Sequence, residues 1–225
     1  EIATGRGTKT EKDVFIVRSA PKIPTLEIKL NQTLKKGRKY LVGYVGVMGS
    51  ADGIDQIIRS AHYLVQKQGR KDIQFLLMGF GPEYENLIKL RDKLGMKDFI
   101  DLPGRVEGAE LFSALSTMDL GVSGDPINPY NHHCTMNKVL EYMAMGKPQV
   151  SFDLKESRYS AGDAALFVNE VSSQALGQAI SNLIDDPKRR KIMGDIGHER
   201  FHSDLNWEKS VQQLKAAYSH TLSNT

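Results

Sequence analysis

One short segment near the middle of the chain combines side chains that could bind an anionic ligand. Residues 134–148 have the spacing of a helix that a glycine and a proline bring to an end. At about 100° per residue, its apolar side chains share one arc that must face a core. Asn137, Lys138 and Glu141 share the opposite arc, near the helix N-terminus, which attracts anions such as phosphate. The same three residues also fit a solvated helix face with an ordinary lysine–glutamate contact.

A run of glycines offers a second place for a phosphate. Gly43, Gly46 and Gly49 are spaced by three, follow a predicted strand and precede a predicted helix, so their backbone could approach a ligand closely. The spacing is not that of the dinucleotide fingerprint, and the acid expected at the end of the second strand is missing. A nicotinamide-dependent oxidoreductase is therefore the alternative from another enzyme class.

His132, His133 and Cys134 could suggest a metal site. Zinc needs three or four ligands, and the sequence has no second cysteine or histidine pair at a suitable spacing, so no metal ion is predicted. Cys134 is the single cysteine, which excludes an intramolecular disulfide and fits a reducing, cytoplasmic compartment.

The composition is that of a globular protein. The 225 residues are 40% apolar and 25% charged, with a net charge of +3, too small to indicate nucleic acid as the main partner. No apolar run approaches the about 18 residues that a membrane-spanning helix needs. The polar start without an initiator methionine suggests a fragment of a longer protein.

The remaining elements must position these residues, and their order predicts an α/β fold. Near-continuous apolar strands alternate with helices, which indicates a Rossmann-like parallel sheet with helices on both faces. Ligands of such sheets bind beyond the carboxyl ends of the strands, so the loops after the first four sheet strands and residues 133–141 should surround one crevice. The predicted strands are 14–17, 40–47, 73–78, 99–102, 119–122, 149–152 and 165–168. The predicted helices are 54–65, 83–94, one containing 111–115, 135–145, 172–184, 187–202 and 207–222.

Four separated motifs resemble the group 1 glycosyltransferases, the retaining enzymes of the GT-B fold. The resemblance covers about residues 40–222 and implies the C-terminal half of such an enzyme. Residues 40–225 would be the donor-binding domain, and residues 1–39 the end of the N-terminal domain and the interdomain connector. The motifs are Phe75-Leu76-Leu77-Met78-Gly79-x-Gly81-Pro82, Leu102-Pro103-Gly104-Arg105-Val106, Leu115-x-x-Met118-Asp119 and Lys138-x-x-Glu141-Tyr142-Met143-Ala144-Met145-Gly146-Lys147-Pro148.

The resemblance also implies a role for individual residues. Glu141 matches the second glutamate of the family's E-x7-E motif, which accepts hydrogen bonds from ribose hydroxyls. The backbone of Arg105 and Val106 would hold the base, and Thr135 and Met136 would offer N–H groups to the diphosphate. Asn137 would add a contact from the same helix face, and the loop from Gly46 to Gly49 would face the donor.

Three positions depart from the family pattern. His133 stands where the family has its first glutamate, and Val47 and Asp52 stand where it has basic residues that bind the diphosphate. Lys138 is the nearby candidate to replace those cations, so Lys138 and His133 are the predicted catalytic residues, with His133 close to the sugar. A degenerate, non-catalytic module that binds a nucleotide or sugar phosphate is the alternative.

The expected ligand is a nucleotide diphosphate sugar, with a UDP-sugar favoured, and no metal or other cofactor is required. The acceptor would bind to the missing N-terminal domain, through which a peripheral membrane contact stays open. The fragment alone is expected to be inactive.

Overall fold

Six parallel strands form the sheet of this protein. The computed structural model describes residues 2–7, 9–23 and 28–223. The strand order across the sheet is β3-β2-β1-β4-β5-β6. The strands are β1 (Tyr40–Val45), β2 (Ile73–Met78), β3 (Ile100–Gly104), β4 (Leu120–Ser123), β5 (Gln149–Phe152) and β6 (Ala165–Val168).

Helices cover both faces of this sheet. Buried side chains form one large cluster with α2 and α7, and two smaller clusters that include side chains of α5 and of α4. The predicted fold class, a Rossmann-like parallel sheet with helices on both faces, is therefore confirmed. The helices are α1 (Ile2–Arg6), α2 (Ile54–Gln68), α3 (Tyr84–Lys93), α4 (Gly108–Thr117), α5 (Asn137–Ala144), α6 (Lys155–Ala161), α7 (Ser173–Ile184), α8 (Pro187–Arg200) and α9 (Trp207–Ser223).

The strand order reverses between β1 and β4, which is where such sheets bind ligands. The two strands pair at only two positions, and the Tyr142 hydroxyl bridges them beyond that point. It accepts a hydrogen bond from the Val45 N–H (3.2 Å) and donates one to the Val122 carbonyl (3.2 Å). A side chain of α5 thus links the two strands at the switch point, where their direct pairing ends.

Two glycines permit close packing at this edge of the sheet. Gly43 lies inside β1, and a Cβ there would stand 2.1 Å from the Met118 sulfur, so the prediction that it opens a phosphate loop is wrong. Gly79 has φ +152°, and a Cβ there would stand 1.9 Å from the Gly46 carbonyl oxygen. The loops after β1 and β2 can touch here only because residue 79 is glycine.

Residues 14–17 do not form the predicted strand. No strand of the described sheet pairs with them. Side-chain contacts hold the segment instead; for example, the Phe15 ring lies 5.6 Å from the His220 ring of α9. Helix α6 was not predicted. Residues 1, 8 and 24–27 of the predicted connector lie outside the described residues, and the division of the chain at residue 39 stays a prediction.

None of the helices within the described ranges combines the length and the apolar content needed to cross a membrane.

Candidate functional site

A crevice of about 930 Å³ opens at the carboxyl ends of β1 to β4. The loops after β1, β2, β3 and β4 form its walls, and the N-terminal end of α5 closes one side. This is the position that the strand order predicts for a ligand. Its lining residues are Val45, Gly46, Val47, Ala51, Asp52, Met78, Gly79, Phe80, Arg105, Val106, Glu107, Leu111, Asp125, Tyr130, Asn131, Cys134, Met136, Asn137, Lys138 and Glu141.

Most of the residues predicted for the site meet in this crevice. Seven of them line it, namely Gly46, Arg105, Val106, Met136, Asn137, Lys138 and Glu141. The other three, Gly49, His133 and Thr135, are not among its lining residues. The Gly49 N–H donates to the Asp52 carboxylate (3.0 Å), and the Thr135 hydroxyl donates to the Glu156 carboxylate (3.0 Å). The His133 side chain is exposed.

Lys138 has a different environment from the one its place on the helix predicts. The helical arc placed it on a polar face beside Glu141, but its side chain is only 7% exposed. Its ammonium donates to both carboxylate oxygens of Asp125, at 2.8 and 2.9 Å, and lies 3.6 Å from the Asp52 carboxylate. The alternative interpretation, a solvated helix face with a lysine–glutamate contact, is therefore not supported, because the buried Asp125 binds the cation.

Asp125 is the residue that sequence reasoning missed. It follows β4 by two positions, is 2% exposed and lines the crevice beside Lys138. Burial raises the pKa of its carboxyl, and the Lys138 ammonium opposes that rise. A carboxylate just after a strand that ends at the switch point is a signal that could have identified it.

Glu141 presents a carboxylate with unused acceptor capacity. Within the part of the chain that the structure describes, no group donates a hydrogen bond to it or forms an ion pair with it. Burial raises the pKa of this carboxyl, while the Lys138 charge lowers it. A half-buried carboxylate that lines a crevice and lacks a donor is suited to accept hydrogen bonds from ligand hydroxyls.

The crevice carries more negative than positive charge. Its lining holds four carboxylates (Asp52, Glu107, Asp125 and Glu141) and two cations (Arg105 and Lys138), a formal charge of −2. Both cations already have partners, since the exposed Arg105 pairs with Glu107 at 2.5 Å. An anionic ligand must therefore rely on backbone N–H groups and on donors that the ion pairs leave unused.

A buried amide fixes the loop that leads into α5. Asn131 is 2% exposed and donates to the carbonyls of Ala51 (3.1 Å) and Pro126 (2.9 Å). It thereby joins the loop after β1 to the loop after β4. Among the described residues, no group of three or more histidine, cysteine or acidic side chains could hold a metal ion.

Comparison with known proteins identifies the family. A model of the group 1 glycosyl transferases matches residues 39–186, about two thirds of the chain. The chain belongs to this family. The match contains all six strands and the whole lining of the crevice.

Relatives of the chain fall in the same class. It is 27% identical over 157 residues to an alpha-D-kanosaminyltransferase of Streptomyces kanamyceticus, which is 69% of this chain and 39% of that protein. It is 27% identical over 189 residues to a GDP-mannose-dependent alpha-mannosyltransferase of Corynebacterium glutamicum, covering 81% and 40% of the two proteins. The chain spans between 39% and 53% of the length of the curated relatives it matches.

A solved structure, Anabaena Alr3699/HepE in complex with UDP, superimposes with a TM-score of 0.67 and 18% identity. The match covers 86% of this chain and 51% of that one. At this identity the likeness supports the fold alone.

Proposed function

We propose that this chain is the donor-binding half of a retaining glycosyltransferase that uses a nucleotide diphosphate sugar. The observation that carries the proposal is the Glu141 carboxylate, which faces the switch-point crevice without a hydrogen-bond donor among the described residues. Family membership supports sugar transfer over the nicotinamide oxidoreductase that the sequence left open.

The nucleotide would lie across the crevice with its ribose on Glu141. A carboxylate can accept from both vicinal hydroxyls, and charge-assisted hydrogen bonds of this kind contribute about 1.5–3 kcal/mol each. The base would lie against the backbone of Arg105 and Val106, which line the crevice wall after β3.

The diphosphate would lie at the N-terminal end of α5. No side chain caps this helix, so the N–H groups at Met136 and Asn137 are positioned to bind an anion. Lys138 would add one donor, because an ammonium has three N–H groups and Asp125 takes two of them. Asp52 lies 3.6 Å from the ammonium, beyond hydrogen-bond distance, and the centroid of the Tyr44 ring lies 4.9 Å from it.

In the transfer itself, the bond between the sugar C1 and the diphosphate oxygen breaks. The acceptor oxygen bonds to C1 on the same face, and the acceptor proton leaves with the phosphate. Negative charge grows on the leaving phosphate, so donors that bind it more strongly in the transition state lower the barrier. Lys138 and the α5 N-terminus would do this. His133, exposed in this chain, would contact the sugar only if the loop 131–136 or the other domain turned it inward.

A small panel of ligands can identify the nucleobase that the crevice binds. Ligand-observed NMR with UDP, GDP, ADP and CDP should reveal one nucleoside diphosphate that binds the chain, and UDP is the first candidate. UDP accompanies the HepE fold relative, whereas the Corynebacterium enzyme is named for GDP-mannose. Binding of none of the four would contradict the proposed function. Full-length protein that binds but transfers no sugar would favour the non-catalytic alternative.

A further inference from the structure

An arginine in the segment before the sheet contacts residues next to the site. Arg18 lies in the stretch 14–23, yet its Nη2 donates to three residues far along the chain. The acceptors are Glu156 Oε2 (2.5 Å), Thr135 Oγ1 (3.3 Å) and Ser160 Oγ (3.3 Å). The guanidinium also lies 4.7 Å above the Tyr159 ring, and the side chain is 20% exposed.

These contacts converge on the residues that precede α5. Glu156 accepts from both Arg18 (2.5 Å) and the Thr135 hydroxyl (3.0 Å), so one carboxylate joins the segment to the loop. The next residue of the segment, Ser19, donates to the Asn137 side chain (3.2 Å). Thr135 and Asn137 flank Met136, and both Met136 and Asn137 line the crevice. The segment therefore fixes the backbone where the diphosphate is proposed to bind.

We infer that Arg18 is a positioning residue for the phosphate subsite of the crevice. It holds residues 135–137, through Glu156 and Thr135, so that their N–H groups face an anion. It does not itself contact the ligand. This inference rests on the proposed function. The family match covers residues 39–186, so Arg18 lies outside it. A segment outside the family match then completes the donor site.

The position of Arg18 explains why the effect should be selective. Thr135 precedes Glu141 by six residues, so the Arg18 contacts act on the helix start and not on the carboxylate proposed for the ribose. Loss of Arg18 should loosen the N–H groups at residues 135–137 and leave the ribose contact in place. A nucleoside diphosphate should then bind more weakly, while the corresponding nucleoside binds as before.

The chain offers a matched control in Arg158 of α6. Its guanidinium donates to both oxygens of the Asp153 carboxylate (2.8 and 2.6 Å) and lies 4.4 Å above the Phe167 ring. It thus has an ion pair and an aromatic contact like those of Arg18. Its side-chain contacts run to Asp153 and Phe167 and not to the residues before α5.

The experiment compares Arg18→Ala, Arg18→Lys, Glu156→Gln and Arg158→Ala with the unchanged 225-residue chain. Calorimetry measures the affinity for UDP and for uridine, or for the other pair if the panel selects a different base. NMR order parameters of the amides of residues 134–137, without ligand, measure the order of the loop.

Arg18→Ala should weaken the diphosphate about 10-fold, equal to about 1.4 kcal/mol, with less than about a twofold change for the nucleoside. Glu156→Gln should give the same pattern, Arg18→Lys a smaller loss, and Arg158→Ala none. The order parameters of residues 134–137 should fall in Arg18→Ala and Glu156→Gln alone.

An unchanged ratio of diphosphate to nucleoside affinity in Arg18→Ala would overturn the inference. Tighter diphosphate binding in Glu156→Gln would also overturn it. That result would mean that the Arg18 guanidinium, released from Glu156, binds the phosphate directly. If the unchanged chain binds none of the nucleotides, the proposed function is wrong. Order parameters at residues 134–137 that do not respond to Arg18→Ala refute the positioning role independently.

Discussion

Two carboxylates that line the crevice, Asp125 and Glu141, have different partners and therefore different roles. Asp125 is buried and forms an ion pair with Lys138, whereas none of the described residues donates a hydrogen bond to the Glu141 carboxylate. The difference depends on tertiary contacts, since both are acids beside the same helix. The sequence could propose Glu141 from its motif, but the motif held no information about which acid would face Lys138.

The half-buried Glu141 carboxylate should lower the stability of the folded protein at neutral pH. Burial raises the pKa of this carboxyl in the folded state. Ionisation therefore disfavours folding once the pH rises above the pKa of the unfolded state, about 4.3. Glu141→Gln should therefore increase the free energy of unfolding at pH 7 and leave it unchanged at low pH. Denaturant unfolding at several pH values measures this.

The affinity for the nucleotide should change in the opposite direction. The ionised carboxylate is the better acceptor, so nucleotide affinity should decline as the pH falls through the raised pKa of Glu141, and this part of the decline should be absent in Glu141→Gln. Parallel pH profiles in the two proteins, or no gain of stability in the variant, would show that Glu141 is an ordinary exposed acid.

Lys138 and Asp125 should behave as a coupled buried pair. Lys138→Met leaves the Asp125 carboxylate buried without its cation and should cost about 3–5 kcal/mol of stability. Adding Asp125→Asn should recover part of that loss, because the uncompensated charge is gone. The exposed pair Lys191–Asp195 is the control, and Lys191→Met should cost less than about 1 kcal/mol. Additive effects of the two crevice changes would contradict the coupling.

At the scale of elements, the loops that follow β1 and β2 are held together by a backbone contact that only glycine permits. Gly79→Ala should place a methyl group 1.9 Å from the Gly46 carbonyl, in addition to the strain of a positive φ. Gly69→Ala is the control, because φ is +67° there but a Cβ would meet nothing within 4 Å.

Thermal unfolding should show a much larger loss of stability for Gly79→Ala than for Gly69→Ala, whose cost should be about 1–2 kcal/mol. The crevice should also lose nucleotide affinity in Gly79→Ala, because Gly46 and Gly79 both line it. Equal losses of stability would mean that the close approach of the two loops does not exist.

The elements that periodicity defines well were predicted well. Strands β2, β5 and β6 begin and end at the predicted residues, because a short buried run bounded by loops leaves little freedom of assignment. Residues 14–17 resembled a strand equally well but have no neighbour in the sheet. Pairing depends on tertiary position, which local apolar pattern does not contain.

The residues of the site could be predicted to a similar extent. The helical arc led to Asn137 and Glu141, and the family resemblance led to Met136 and Glu141. All three residues line the crevice. The Lys138–Asp125 pair and the Arg18 network could not be found, because they join residues 13 and 117 or more positions apart through side chains alone.

At the scale of the whole molecule, the match to curated relatives covers only part of the length of each relative. The chain spans at most 53% of the curated relatives it matches, and its crevice opens at one edge of a single sheet. If a second domain binds the acceptor, as the resemblance implies, this chain can bind a donor without orienting a second substrate. Orientation of two reactants can contribute about 7–11 kcal/mol to lowering a barrier.

The 225-residue chain should therefore bind a donor but transfer no sugar. The check is to supply the chain and the full-length protein with the same donor and acceptor and to measure transfer by product chromatography. Slow hydrolysis of the donor by the chain would fit this account, because the α5 N-terminus still contacts the leaving phosphate. Transfer at a rate near that of the full-length protein would place the acceptor site within this chain and contradict the two-domain proposal.

The central claim is that Glu141 binds the ribose of a nucleotide, and a calorimetric double cycle tests it most directly. The selected nucleoside diphosphate and its 2′,3′-dideoxy analogue are titrated into the unchanged chain and into Glu141→Ala. In the unchanged chain, loss of the two hydroxyls should weaken binding at least about 10-fold, equal to about 1.4 kcal/mol. In Glu141→Ala both ligands should bind with the same reduced affinity. A dideoxy penalty of equal size in the two proteins would contradict the claim, because the hydroxyls would then be recognised elsewhere.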